Sequence, residues 1–149
     1  MTDSIEVKIK KLDPEATMPE YAHPGDAAFD VFALKDKIVP ARGRAIISTG
    51  FAMEFPAGYV ALVWDKSGLA TKFGLTTLAG VMDSSYRGEI KIIVYNTDDQ
   101  DYTFRAGEKM AQVLIQPVER ATITEVSELS DTTRGASGFG STGTRKSKP

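Results

Sequence analysis

Residues 43–64 read GRAIISTGFAMEFPAGYVALVW, two β-rich runs at 43–55 and 59–64 flanking the turn Pro56-Ala57-Gly58. β-Branched and aromatic side chains suit a pleated, half-buried surface, and a Pro–x–Gly step marks a turn. The same rhythm extends in both directions. Toward the N-terminus, Ile5, Val7 and Ile9 alternate with polar residues, and Phe29, Val31 and Ala33 repeat the pattern. Toward the C-terminus come an apolar run at 75–82, then Ile90, Ile92 and Val94 between Gly88 and Asn96, then a run at 112–118. Turn chemistry separates them at Pro24-Gly25-Asp26, Pro40-Ala41-Arg42-Gly43, residues 96–101 and Ala106-Gly107. Short strands every 8–12 residues or so with turns between them predict an all-β sandwich or barrel. Only residues 67–73 read as a helix, with Ser67 as N-cap; residues 109–114 fit helix or strand equally.

Composition narrows the chemistry. The chain has 149 residues, 42% hydrophobic and 26% charged, one domain's worth of ordinary globular protein. There is no cysteine, which removes thiol nucleophiles, disulfides and thiolate metal sites, and a single histidine, His23, which removes any multi-histidine metal site. Carboxylates, hydroxyls, lysine, arginine and backbone groups remain. No apolar run approaches the roughly 20 residues that span a bilayer, and MTDSIEVKIK lacks the form of a signal peptide, so an intracellular, cytoplasmic protein without a membrane partner is expected. The net charge of −2 divides unevenly: residues 134–149 carry +4 and the first 133 carry −6. A basic end of this kind suits a solvated tail or a nonspecific nucleic-acid contact. The acidic body speaks against the second.

Four stretches could carry chemistry. Residues 134–143, RGASGFGSTG, hold four glycines with Arg134, Phe139, Ser141 and Thr142, too little apolar surface to fold alone. Glycine-rich backbone with hydroxyls and a guanidinium suits phosphate. A Walker A loop is excluded, because Thr144 follows Gly143 where lysine is required. Phe139 is either incidental or a surface on which a base stacks. Asp65-Lys66-Ser67-Gly68-Leu69-Ala70 is an anion site or an ordinary helix start. Gly80-Val81-Met82-Asp83-Ser84-Ser85-Tyr86-Arg87-Gly88 places an acid at a strand end, a general base or simply a hairpin turn. His23 reads as a turn residue, and Asp30, on an apolar strand, is either exposed or held to bind metal or water.

Taken in order, the segments 26–31, 66–70, 80–88, 107–112 and 134–143 resemble the five motifs of the trimeric dUTP diphosphatase (dUTPase) family, over nearly the whole chain. The resemblance implies a jelly-roll domain over residues 1–133, a flexible arm over 134–149 that closes a neighbour's site, and a homotrimer whose active sites each draw on three subunits. It implies Mg²⁺-assisted hydrolysis of dUTP to dUMP and pyrophosphate, which keeps uracil out of DNA and supplies dUMP for dTMP synthesis. By the same resemblance Asp83 activates the attacking water, and Asp30 holds hydrated Mg²⁺ from outside its first shell. Lys66, Ser67, Gly68 and Gln112 bind phosphate oxygens. Thr77, Gly80, Val81, Met82 and Lys91 frame uracil, and Tyr86 lies beneath the deoxyribose. Arg134 meets the γ-phosphate, Phe139 stacks on the base, and Gly140, Ser141 and Thr142 wrap the phosphates.

The chain departs from the family pattern at Lys66, usually arginine, which keeps the charge but not a planar bidentate contact. It departs also at Thr77, often asparagine, and at Ala28 and Ser137, commonly glycine. A dCTP deaminase on the same fold and a catalytically idle nucleotide sensor are the rival functions.

Overall fold

The computed structural model describes residues 4–146. In chain order these form β1 (Lys8–Lys11), β2 (Phe29–Phe32), β3 (Lys37–Val39), β4 (Arg44–Ser48), β5 (Phe51–Glu54), β6 (Tyr59–Trp64), α1 (Ser67–Phe73), β7 (Leu75–Leu78), β8 (Val81–Asp83), β9 (Lys91–Asn96), β10 (Tyr102–Phe104) and β11 (Lys109–Pro117). The strands make one sheet in the order β2-β11-β6-β8, a second in the order β4-β9-β7, and two-stranded ladders β1-β5 and β10-β3. All of these pairings are antiparallel. The fold is the expected jelly-roll sandwich with one short helix. The hydrogen-bonded ladders stay separate, so the barrel alternative is not realised. Among the described residues no helix is long and apolar enough to cross a membrane.

Alternation explains the layers. In β4, Ala45 and Ile47 are buried while Arg44 and Ile46 face out; in β9, Ile92, Val94 and Asn96 turn inward. These side chains meet Val31, Phe51, Phe104 and Val113 in one continuous core. Each large apolar side chain fully buried there contributes about 1.5–3 kcal/mol of transfer free energy. β2 is buried along its whole length, Asp30 included, so its sequence alternation does not become an inside and an outside.

Three sequence expectations change. The 43–55 run breaks at Thr49-Gly50 into β4 and β5, which belong to different sheets. Gly50 has φ +79°, a conformation that strains any other residue, and a Cβ there would lie 2.8 Å from Leu34 Cδ1 and force that side chain to shift. The 75–82 run likewise breaks at Ala79-Gly80 into β7 and β8. Ser67 is not the N-cap: Lys66 holds that position in extended backbone with no side-chain cap, and Ser67 is the first helical residue. Residues 109–114 resolve as strand within β11. The pair β3 and β10 was not legible in the periodicity. Buried Asn96 ties that corner together, its Nδ2 donating to Val39 O at 3.2 Å and Gln100 O at 2.8 Å.

After Pro117 the described chain carries no strand or helix, and it is exposed throughout except at Gly138. Residues 118–133, which the resemblance includes in the jelly-roll domain, therefore run outside its strands. Residues 147–149 of the expected arm, Lys148 among them, lie outside the described residues.

Candidate active site

The switch from β7 to β8 builds the first half of the site. Ala79 and Gly80 both take positive φ, 60° and 115°. Gly80 O accepts a 2.9 Å hydrogen bond from Val63 N–H, and a Cβ on Gly80 would lie 3.1 Å from Val63 Cβ. The turn is thus pressed onto β6, and β8 continues beside it with Val81 opposite Leu62 and Asp83 opposite Val60. Asp83 O then accepts Tyr86 N–H at 3.1 Å, closing a tight turn. The Tyr86 hydroxyl donates to Glu89 O at 3.1 Å, which lays the ring over Gly88.

The result is a cavity of about 280 Å³. Gly80, Val81, Met82, Tyr86 and Lys91, expected at the base and sugar, border it, as does Asp83, expected to activate water. The Asp83 carboxylate is exposed, and among the described residues no hydrogen bond or salt bridge engages it. Thr77 is placed differently from expectation. It does not border this cavity, and its N–H and Oγ1–H both go to Asp65 Oδ1 at 2.6 Å. Its donors are therefore spent inside the protein.

The second half surrounds Asp30. Lys66 Nζ donates to Asp30 Oδ1 at 2.5 Å, and Lys109 Nζ stands 2.8 Å from Oδ2. The Lys109 contact is an ion pair more than an aligned hydrogen bond, since Oδ2 has no well-directed donor. Burial pushes the Asp30 carboxyl pKa up, but the Lys109 and Lys66 ammonium groups outweigh it and hold the group below the usual carboxylate range. Asp30 in turn raises Lys109. Lys66, Lys109 and Gln112 border a cavity of about 600 Å³ with His23, Asp26 and Trp64. Gln112 Nε2 donates to Asp65 O at 2.8 Å, leaving its second amide hydrogen and its carbonyl free. Ser67 and Gly68 are exposed beside it, and open space surrounds Gly68.

The donor set around Asp30 does not fit a magnesium site. The residue is 2% exposed, and both carboxylate oxygens face lysine ammonium groups. A hydrated dication would have to displace two positive charges to approach. The expectation that Asp30 holds hydrated Mg²⁺ is therefore not supported by this geometry. Among the described residues no group of three or more potential ligating side chains forms a metal site.

No residue borders both cavities. Along β6, Val63 borders the first and Trp64 the second, and adjacent strand residues send side chains to opposite faces. A single chain therefore holds the two halves apart. The arm residues stand away from both: Arg134, Phe139, Gly140, Ser141 and Thr142 border neither cavity. Arg134 Nε donates to Ser137 O at 2.9 Å, and Gly143 N–H to Gly140 O at 2.9 Å closes a turn around Ser141-Thr142. Phe139 has φ 49° and a fully exposed ring.

Lys109 and Asp65 are site residues that inspection of the sequence does not single out. Lys109 lies within the 107–112 motif, so its signal was its place beside Gln112. Asp65 carries no local signal, because its partners are on other elements.

The dUTPase family model matches residues 14–143. A deoxyuridine 5'-triphosphate nucleotidohydrolase of Thermobifida fusca is 46% identical over 94% of this chain and 80% of its own length. The protein of that name from Paramecium bursaria Chlorella virus 1 is 44% identical over 91% of this chain and 96% of its own. Among solved structures, the Staphylococcus bacteriophage 80alpha dUTPase with dUpNHpp superposes with a TM-score of 0.87 at 29% identity, covering 93% of this chain and 99% of that one. Two half-sites built from four of the five motifs, and a family match over residues 14–143, lead to one conclusion: the chain belongs to the dUTPase family.

Proposed function

We propose that the protein hydrolyses dUTP to dUMP and pyrophosphate as a homotrimer with shared active sites. The observation that carries this reading is the cavity bordered by the 80–82 backbone and Tyr86, with the unpaired carboxylate of Asp83 among its lining groups. An exposed strand backbone can read the N3–H and O4 of uracil without a charged side chain, and a cavity of that size suits a nucleoside. Tyr86 beneath the sugar leaves little room for a 2′-hydroxyl.

In the proposed reaction Asp83 accepts a proton from a water molecule whose oxygen bonds to the α-phosphorus. The bond from that phosphorus to the α,β-bridging oxygen breaks in line, and pyrophosphate leaves. Lys66, Ser67, Gly68 and Gln112 of a second subunit hold phosphate oxygens, since one chain keeps its two halves apart. Asp30 serves by fixing Lys66 and Lys109, not by holding metal. Mg²⁺ enters with the triphosphate as part of the substrate, where phosphate oxygens and water supply the ligands that this ion prefers.

The arm of a third subunit supplies Arg134 to the γ-phosphate, Phe139 to the face of uracil, and Gly140, Ser141 and Thr142 to the phosphate chain. Ordering it costs about 1–2 kcal/mol per residue in backbone entropy. Base stacking returns about 1–3 kcal/mol and each charged hydrogen bond about 1.5–3 kcal/mol. Closure therefore needs a full triphosphate, which couples recognition to exclusion of water. The cellular consequence is removal of dUTP and supply of dUMP in the cytoplasm. Pyrophosphate release compared across dUTP, dTTP, dCTP and UTP tests the reading. Release confined to dUTP supports it, ammonia release from dCTP makes the protein a deaminase, and tight dUTP binding without turnover makes it a sensor.

A further inference from the structure

Asp65 stands between β6 and α1, immediately before Lys66, the N-cap of the helix that Ser67 and Gly68 begin. Its carboxylate accepts three short hydrogen bonds from β7: Thr76 Oγ1–H at 2.7 Å on Oδ2, and Thr77 N–H and Oγ1–H at 2.6 Å on Oδ1. Its backbone carbonyl accepts Gln112 Nε2–H at 2.8 Å from β11. β7 belongs to the sheet β4-β9-β7, whereas β6 and β11 belong to β2-β11-β6-β8. One residue thus ties both principal sheets to the helix start on which the proposed phosphate contacts sit. Hydrogen bonds to a carboxylate are shorter and stronger than neutral ones, and these hold Asp65 ionised against its partial burial.

We propose that Asp65 is a positioning residue: it holds Lys66 and the first turn of α1, with Ser67 and Gly68, and the Gln112 amide in the arrangement that receives the polyphosphate. It touches neither cavity, so it acts through its neighbours. The inference deepens the dUTP hydrolase reading and rests on it. An asparagine in its place brings an NH2 against either the Thr76 hydroxyl or the Thr77 N–H. At the Oδ2 position one of the three bonds to β7 is then lost or reoriented, at the Oδ1 position two are, and the start of α1 loses its anchor. The loss falls on phosphate contacts and spares the nucleoside cavity, which Thr77 does not border.

The test compares binding of dUpNHpp and dUMP to the intact protein and its Asp65→Asn variant by calorimetry, alongside pyrophosphate release from dUTP. The expected result is about a tenfold weaker Kd for dUpNHpp and a matching rise in KM, with dUMP affinity changed less than about twofold. Thr77→Val should weaken dUpNHpp by about threefold, and Thr77→Ser, which keeps both donors, should restore it. Unchanged dUpNHpp binding, or equal loss for dUpNHpp and dUMP, overturns the proposal. Should Asp65→Asn not fold, the Thr77 pair decides: Thr77→Val binding dUpNHpp like Thr77→Ser overturns it equally. If the unmodified protein binds dUpNHpp yet releases no pyrophosphate from dUTP, the hydrolase reading fails while the positioning role is still measured by binding.

Discussion

Asp83 and Asp30 are both strand carboxylates, and their surroundings give them opposite work. Asp83 is exposed and unengaged among the described residues, whereas Asp30 is buried between two lysines. General-base assistance contributes about 10²–10⁴ in rate. Asp83→Asn should therefore lower kcat within that range while dUpNHpp binding stays within about threefold, as calorimetry and pyrophosphate release would show. Wild-type turnover in the variant would remove Asp83 as the base.

Asp30 and Asp65 both have carboxyl pKa values held below the usual range. A carboxylate depressed in the folded state stabilises above its unfolded pKa, and that stability disappears as pH falls through the folded value. Melting temperature should thus be steady near neutrality and drop below about pH 4, and Asp30→Asn should flatten the drop. Lys109, raised by Asp30, works at the other end, its contribution lost only in strong alkali. An acid limb unchanged in the variant would show that Asp30 does not govern it.

At the scale of elements, turns do the positioning. The Ala79-Gly80 switch moves the chain from one sheet to the other, and the 83–86 turn sets Tyr86 over Gly88. A Cβ on Gly88 would overlap the Tyr86 hydroxyl, and the half-exposed Tyr86 ring, held there by one hydroxyl bond to Glu89 O, is the group that yields. Gly88→Ala should therefore swing Tyr86 and widen the sugar position. The expected outcome is a narrowed preference for dUTP over UTP, by about tenfold in kcat/KM, with a smaller change on dUTP itself. An unaltered preference would show that Tyr86 does not set sugar choice. The helix shows a related local effect: with Lys66 rather than Ser67 at the cap, the loop before α1 relies on Asp65 and Gln112 for its shape.

For the whole molecule, the separation of the two cavities is the observation from which the proposed sharing of active sites between subunits follows. Among the described residues, deleting the arm from Arg134 onward removes no strand, helix or core side chain, so the truncated protein should keep its melting temperature within a few degrees. Its kcat/KM for dUTP should fall by at least about a hundredfold, the loss of the stacking and phosphate contacts. Full activity after truncation would exclude the arm from the site.

What the sequence determined by itself was whatever is local: the alternation in β9, the Asp83–Tyr86 turn and the unfolded composition after Arg134, whereas the breaks at Gly50 and Gly80 came only with the sheets. Those local features follow from period, propensity and turn chemistry within a few residues. Tertiary structure alone decided the partners of Asp30, Asp65, Thr77 and Lys109. Lys66 reaches Asp30 across 36 residues of chain, and Gln112 reaches Asp65 across 47. No periodicity encodes such a pair, because packing of two sheets brings the groups together and burial then obliges each polar atom to find a partner.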